Sequence, residues 1–231
     1  MFVNKMKAIT FSYDDGVEQD IRLINILNKY NLKATFNINS ELLGMKGYLK
    51  RFGVDHNKVN SKDVKSIYQG HEVAVHTLTH PNLTQLDRDE EIIRQVEMDR
   101  LNLSQLVGYD VIGMAYPCGG VNNDQRVAEL IKNNTGVKYS RTITSNNSFD
   151  IQDNLFRFNP TVHHMKMENM LELAVRFIEL KADKPQIFYI WGHSYEFDID
   201  NTWDSFEEFC KIISNKKDIF YGTNKEILLA K

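Results

Sequence analysis

Lys7-Ala8-Ile9-Thr10-Phe11-Ser12-Tyr13-Asp14-Asp15-Gly16 is an apolar run that stops at two carboxylates and a glycine. Asp-Gly is a strong hairpin signal, and a hairpin needs a second alternating strand directly after it. The next segment is instead Gln19 to Tyr30, an amphipathic run with Ile21, Ile24 and Leu27 among its apolar positions. A second apolar run, Ala34 to Ile38, comes next. A strand over Lys7 to Ser12, a helix and another strand make a parallel pair with its crossover.

The same alternation continues along the chain. Asn39 to Asn60, with Gly44, Gly47 and Gly53, reads as a loop with a short helix. Ser61 is placed as the N-cap of a helix reaching Gln69, which Gly70 stops, and Glu72 to Val75 is a third strand. Asp87 to Val107 is the longest helix, with Asp87 and Glu90 as a capping box and Gly108 as its end. Strands over Val111 to Tyr116 and Lys138 to Ile143 flank a helix over Asn123 to Lys132. Asn154 to Val162 is extended without a clear period, and Met167 to Leu180 is a helix. Gln186 to Trp191 is apolar from Ile187 onward, as expected of a strand buried on both faces. Trp203 to Asn215, Ile219 to Tyr221 and a helix at Ile227-Leu228-Leu229, capped by Thr223 and Glu226, complete the pattern. The fold class is α/β. About seven parallel strands without a linker favour a single distorted (β/α) barrel, TIM-barrel-like, with residues 1–231 as one domain.

Composition narrows the function classes. The chain has 231 residues, 42% hydrophobic and 26% charged, enough for a substantial core. Lys and Arg number 28 against 31 Asp and Glu, so no basic surplus points to nucleic acid. Cys118 and Cys210 are isolated, which argues against a disulfide framework or a thiolate metal site. The apolar stretch Ala8 to Phe11 is too short for a signal peptide, and no run approaches the ~20 apolar residues of a membrane span. The expectation is a soluble, cytoplasmic protein with no membrane or nucleic-acid partner.

In a parallel barrel, chemistry sits beyond the strand C-termini. Four strand ends carry the residues for it. Asp14 and Asp15 end the first, and a metal beside one carboxylate would relieve their repulsion and leave the other as a base. His76-Thr77-Leu78-Thr79-His80 comes after the third, and histidines four apart can turn to one point on a helical turn or in a tight loop. Tyr116-Pro117-Cys118-Gly119 ends the fourth and offers backbone N–H groups to an oxyanion. Gly192-His193 ends the apolar strand, where an imidazole can act as acid or base. One Asp with two His leaves metal positions open for water and substrate.

These motifs, in this order from Thr10 to about His193, resemble the polysaccharide deacetylase family, carbohydrate esterase family four with its NodB homology domain. Asp14-Asp15-Gly16 and His76-Thr77-Leu78-Thr79-His80 match its first two motifs, and Ile190-Trp191-Gly192-His193 matches its late one. The resemblance implies that Asp15, His76 and His80 hold a divalent metal, zinc first, with cobalt, nickel or manganese as alternatives. It implies Asp14 as general base, the Cys118 backbone N–H as oxyanion donor and His193 as general acid, with an acetylated oligosaccharide or amino sugar as substrate. Ala115 stands where members often carry an arginine that orients the base, and Arg141 is the candidate substitute. Cys118 replaces an aromatic residue, and the family's Trp-containing fourth motif has no counterpart. Tyr116, Pro117, Trp191 and His163 are candidate substrate contacts, with His164 beside them. Glu196 and Asp198 are candidates to back His193 or the metal ligands. Two rival readings are a cyclic imide or ureide hydrolase on the same fold and a noncatalytic sugar-binding protein.

Overall fold

A computed structural model describes residues 2–230. The main sheet is parallel throughout. Its strands are β1 (Lys7–Asp14), β2 (Ala34–Ile38), β5 (Glu72–Val75), β6 (Gly113–Ala115), β7 (Tyr139–Arg141), β8 (Val162–His163), β9 (Gln186–Gly192) and β10 (Ile219–Tyr221). Between β2 and β5 in the chain, β3 (Tyr48–Leu49) and β4 (Val54–Asp55) form a small antiparallel hairpin. The order is β7-β6-β5-β2-β1-β9-β8, and β10 pairs the start of β1 where β2 has not yet begun. Phe158 bridges to β7 while Val162 and His163 pair with β9, so one extended stretch spans the gap between the sheet's two ends. The result is a distorted barrel.

The central strand explains the centre of the fold. All eight residues of β1 are buried, including Lys7, whose Nζ donates to the carbonyls of Phe177 and Ile178 and meets Asp218 at 2.7 Å. That ammonium lies at the end of α5 (Met167–Glu179), where helix carbonyls lack partners. Phe11 and Tyr13 pack with Phe36, Phe197 and Phe206 in an aromatic cluster. The other helices are α1 (Asp20–Lys29), α2 (Val64–Ile67), α3 (Asp89–Val107), α4 (Gln125–Asn134), α6 (Glu196–Asp200), α7 (Trp203–Ile213) and α8 (Asn224–Leu228). Among the described residues no helix is long and apolar enough to cross a membrane.

Several expectations need correction. The Asp87–Glu90 capping box does not form, because α3 starts two residues later, with Arg88 at the N-cap and no side-chain cap. Ser61 is not an N-cap either. It opens a 3-10 turn over Ser61–Asp63, and only Val64–Ile67 is α-helical. Asn39 to Asn60 holds a 3-10 turn at Ser40–Leu42 and the β3–β4 hairpin. The ambiguous stretch at Asn154 resolves into a turn at Leu155–Arg157 and then β8, and α6 is an element the sequence pattern does not mark. The Thr223–Glu226 capping box is present.

Candidate active site

The strand ends converge on one rim. Asp14 is the last residue of β1, Asp15 is next in the chain, and His76 comes directly after β5. Arg141 ends β7, and Gly192 ends β9 just before His193. Asp15 takes a left-handed backbone (φ 84°), and so do Thr77 (φ 70°), His80 (φ 63°) and Cys118 (φ 68°). Such positions cost of order 1–3 kcal/mol each and persist where the surroundings enforce them. Gly16 (φ 64°) is required, since a Cβ there would lie 2.7 Å from the Ile38 side chain.

Buried polar groups fix the histidine loop, which is a tight turn and not a helix. Asn39 Nδ2 donates to the carbonyls of His76 and Thr77, Asp99 accepts from the His76 N–H at 3.1 Å, and Gln95 binds Thr79 through backbone and hydroxyl. His76 Nδ1 lies 2.9 Å from the Ala115 carbonyl. A carbonyl only accepts, so Nδ1 carries the proton and Nε2 presents its lone pair. His80 Nε2 is 3.5 Å and His76 Nε2 4.0 Å from Asp15 Oδ1. Ligand atoms of Asp15, His76 and His80 all lie within 4.8 Å of one another. Burial pushes His76 down to about 4 and lowers His80 as well, which keeps both rings unprotonated, as metal ligands must be. The donor set fits a divalent ion of the zinc type.

Each carboxylate has its own cationic partners. Burial alone would raise Asp14, yet Arg141 together with His76 and His193 outweighs it, and its carboxyl lies below the usual range. The Arg141 Nη2 donates to both Asp14 oxygens, at 2.5 Å to Oδ1, and its side chain is wholly buried. Asn37 Nδ2 donates to the same Oδ1 at 2.8 Å. Ala115 and Arg141 are register partners on β6 and β7. A guanidinium therefore reaches Asp14 from the strand next to the one that carries Ala115. Asp15 is held well below the carboxylate range against its burial, by a hydrogen bond from His56 and the charge of Lys58. His56 Nε2 is 3.2 Å from Oδ2, and Lys58 Nζ donates to the Asp15 carbonyl at 2.7 Å.

A third group forms around Glu196, the first residue of α6. Its Oε2 accepts from the His193 N–H at 2.9 Å and lies 2.7 Å from His164 Nε2 and 3.4 Å from His163 Nε2. Its Oε1 is 3.2 Å from His193 Nδ1, without hydrogen-bond alignment. Burial opposes a charge on His193, but Glu196 prevails and raises it to about 9. Gly192 is needed here, since a Cβ would sit 2.5 Å from the His164 ring.

A cavity of about 290 Å³ is lined by Asp14, Asp15, His76, His80, Tyr116, Cys118, Gly119, Ile143, Trp191, His193 and Tyr195. Asp15, His80 and Tyr195 also line a neighbouring groove of about 410 Å³ with Leu42, Met45, Leu49, Lys46, His56 and Lys58. Asn122 Nδ2 braces the Tyr116-Pro117-Cys118 loop by donating to all three carbonyls. Pro117 and His163 do not line the cavity, and the His163 ring packs edge-on to Trp191 at 4.4 Å. The Asp198 carboxylate is engaged elsewhere than at His193. It accepts from Gln19 and the Trp203 indole, so it backs none of these groups. Sequence reasoning missed His56 and Lys58, which no local pattern marks. Glu196 had a signal in its spacing of three from His193.

A profile described as polysaccharide deacetylase matches residues 3–139, more than half of the chain. Peptidoglycan-N-acetylglucosamine deacetylase PgdA of Listeria monocytogenes is 28% identical over 128 residues, covering 54% of this chain and 24% of its own. The chain thus spans about a quarter of the length of the curated relatives it matches. The family 4 carbohydrate esterase from Streptomyces lividans in complex with acetate superposes with a TM-score of 0.57 at 16% identity, over 95% of this chain and 92% of that one. A BA3943 mutant, a CE4 family pseudoenzyme with restored enzymatic activity, superposes with a TM-score of 0.55 at 20% identity, over 97% and 68%. At these identities the two superpositions speak to the fold.

Proposed function

The chain belongs to the polysaccharide deacetylase family, and we propose that it is a divalent-metal-dependent hydrolase removing an N- or O-acetyl group from a carbohydrate. The observation that carries this reading is one cavity holding a two-histidine, one-aspartate ligand set beside an arginine-paired aspartate and a glutamate-backed histidine. Residues 1–231 are read as one catalytic unit, since β1, near the start of the chain, and β9, late in it, both bring residues to the rim.

Asp15, His76 and His80 would hold the ion, zinc by the donor set. When bound, a divalent ion polarises the acetyl carbonyl and lowers the pKa of a nearby water. Asp14 takes the proton of the attacking water, and Arg141 keeps its carboxylate ionised and aimed. The Cys118 N–H donates to the developing oxyanion. His193, protonated through Glu196, gives its proton to the departing amine or alcohol, and acetate is released. Tyr116 and Trp191 wall the acetyl pocket, and the adjoining groove takes the sugar, whose apolar face lies on Leu42, Met45 and Leu49.

The test is acetate release from a panel of N- and O-acetylated oligosaccharides by chelated and zinc-restored protein. Release that chelation abolishes and zinc restores is expected. Release unaffected by chelation would refute the metal role. Turnover of a cyclic imide alone would move the chain to another hydrolase class.

A further inference from the structure

We propose that His163, His193 and Glu196 form a second divalent-metal site, separate from the Asp15 centre, and that filling it inhibits the deacetylase. The inhibition rests on the reading of His193 as proton donor, whereas the site itself rests on geometry.

β8 and β9 run side by side, with His163 in register with Trp191, so His163 and His193 emerge from one edge of the rim. Glu196 lies one turn beyond His193 and turns back between them. Its carboxylate is 3.4 Å from His163 Nε2 and 3.2 Å from His193 Nδ1. One ligand atom from each of the three falls within 4.8 Å of the others. Two imidazoles and a carboxylate form a set that zinc accepts.

Two further observations point to a ligand. His193 Nδ1 is enclosed and has no aligned hydrogen-bond partner among the described residues, an uncommon state for a buried polar atom. His164 Nε2 holds Glu196 Oε2 at 2.7 Å and so fixes the carboxylate while leaving Oε1 toward His193. The side chains of His163, His193 and Glu196 are 19%, 21% and 12% exposed, so the cluster lies near the surface of the rim.

Imidazole chemistry sets the consequence. A ring that gives up a proton near neutral pH must be an imidazolium. An ion on Nδ1 replaces that proton, which leaves to solvent, and the ring stops acting as an acid. The Asp15 centre is untouched, so inhibition appears as zinc passes one equivalent.

Zinc binding is measured over a zinc titration of wild type, His80→Ala and His163→Ala, with acetate release of wild type and His163→Ala each normalised to its own activity at one equivalent. Wild type is expected to take up two equivalents and lose most of its activity with the second. His163→Ala takes one and resists excess zinc. His80→Ala keeps only the weaker equivalent. Should His163→Ala fold poorly, cobalt titration of wild type reads the second equivalent through its own absorption. Wild type saturating at one equivalent, lost in His80→Ala, would overturn the second site and leave the proposed function standing. No zinc uptake by wild type would overturn both. Equal inhibition of wild type and His163→Ala would overturn the assignment to these residues.

Discussion

At the end of β5, His76 and His80 face Asp15; at the end of β9, His193 with His163 and His164 faces Glu196. The residue types are the same and the tuning is opposite. Burial opposes ionisation of both carboxylates, yet both lie well below their ordinary range. They differ in what compensates them. Asp15 has Lys58 and His56, and His76 and His80 stay neutral with lone pairs available. Among the described residues no lysine or arginine bridges to Glu196, so a histidine must supply its counter-charge, and His193 is raised to about 9 while burial drives His163 down to about 3. The cation beside a carboxylate thus decides whether its histidine rests neutral with a free lone pair or protonated at neutral pH.

The most severe way to probe this contrast is to remove the one cation that serves the remaining carboxylate. Arg141→Ala leaves Asp14 buried with its charge uncompensated, and breaking such a pair costs about 3–5 kcal/mol. Urea unfolding should show that loss, and acetate release should fall with it. A loss well under 1 kcal/mol would mean that Asp14 does not depend on Arg141.

A gentler change tests the other cluster. His193 has a raised pKa, so its protonated form persists through neutral pH and is lost as pH rises through about 9. The activity profile should therefore fall on the alkaline side. Glu196→Gln removes the charge that raises the pKa, so that limb should move to lower pH. Asp14 is shifted downward, which keeps the base ionised on the acid side, so the acid limb should stay where it is. An alkaline limb that does not move would separate Glu196 from the proton donor.

Much of this is legible in the sequence, and the reason is local. β9 announces itself because a strand buried on both faces reads as a near-continuous apolar run, and β1, β2 and β5 show as short, mainly apolar runs between loop signals. The Asp-Asp-Gly and His-x-x-x-His groups lie at strand ends, where short range fixes their neighbours. The hidden part depends on long-range packing. His56 is 41 residues from Asp15 and reaches it through a hairpin whose two-residue strands carry no periodic signal. Arg141 is 127 residues from Asp14; the sequence offers it as a candidate, and the β6–β7 register supplies the reason, bringing it beside the Ala115 position. The helix starts expected at Ser61 and Asp87 fail because a residue able to cap is not obliged to.

Acetate release by zinc-reloaded His80→Ala beside wild type, on the best substrate of the panel, bears on the metal centre with the fewest intervening assumptions. Metal-dependent release by wild type and background release by the variant, which has lost a ligand, are expected. Wild-type release by His80→Ala, or none from wild type loaded with one equivalent of zinc, would contradict the assignment.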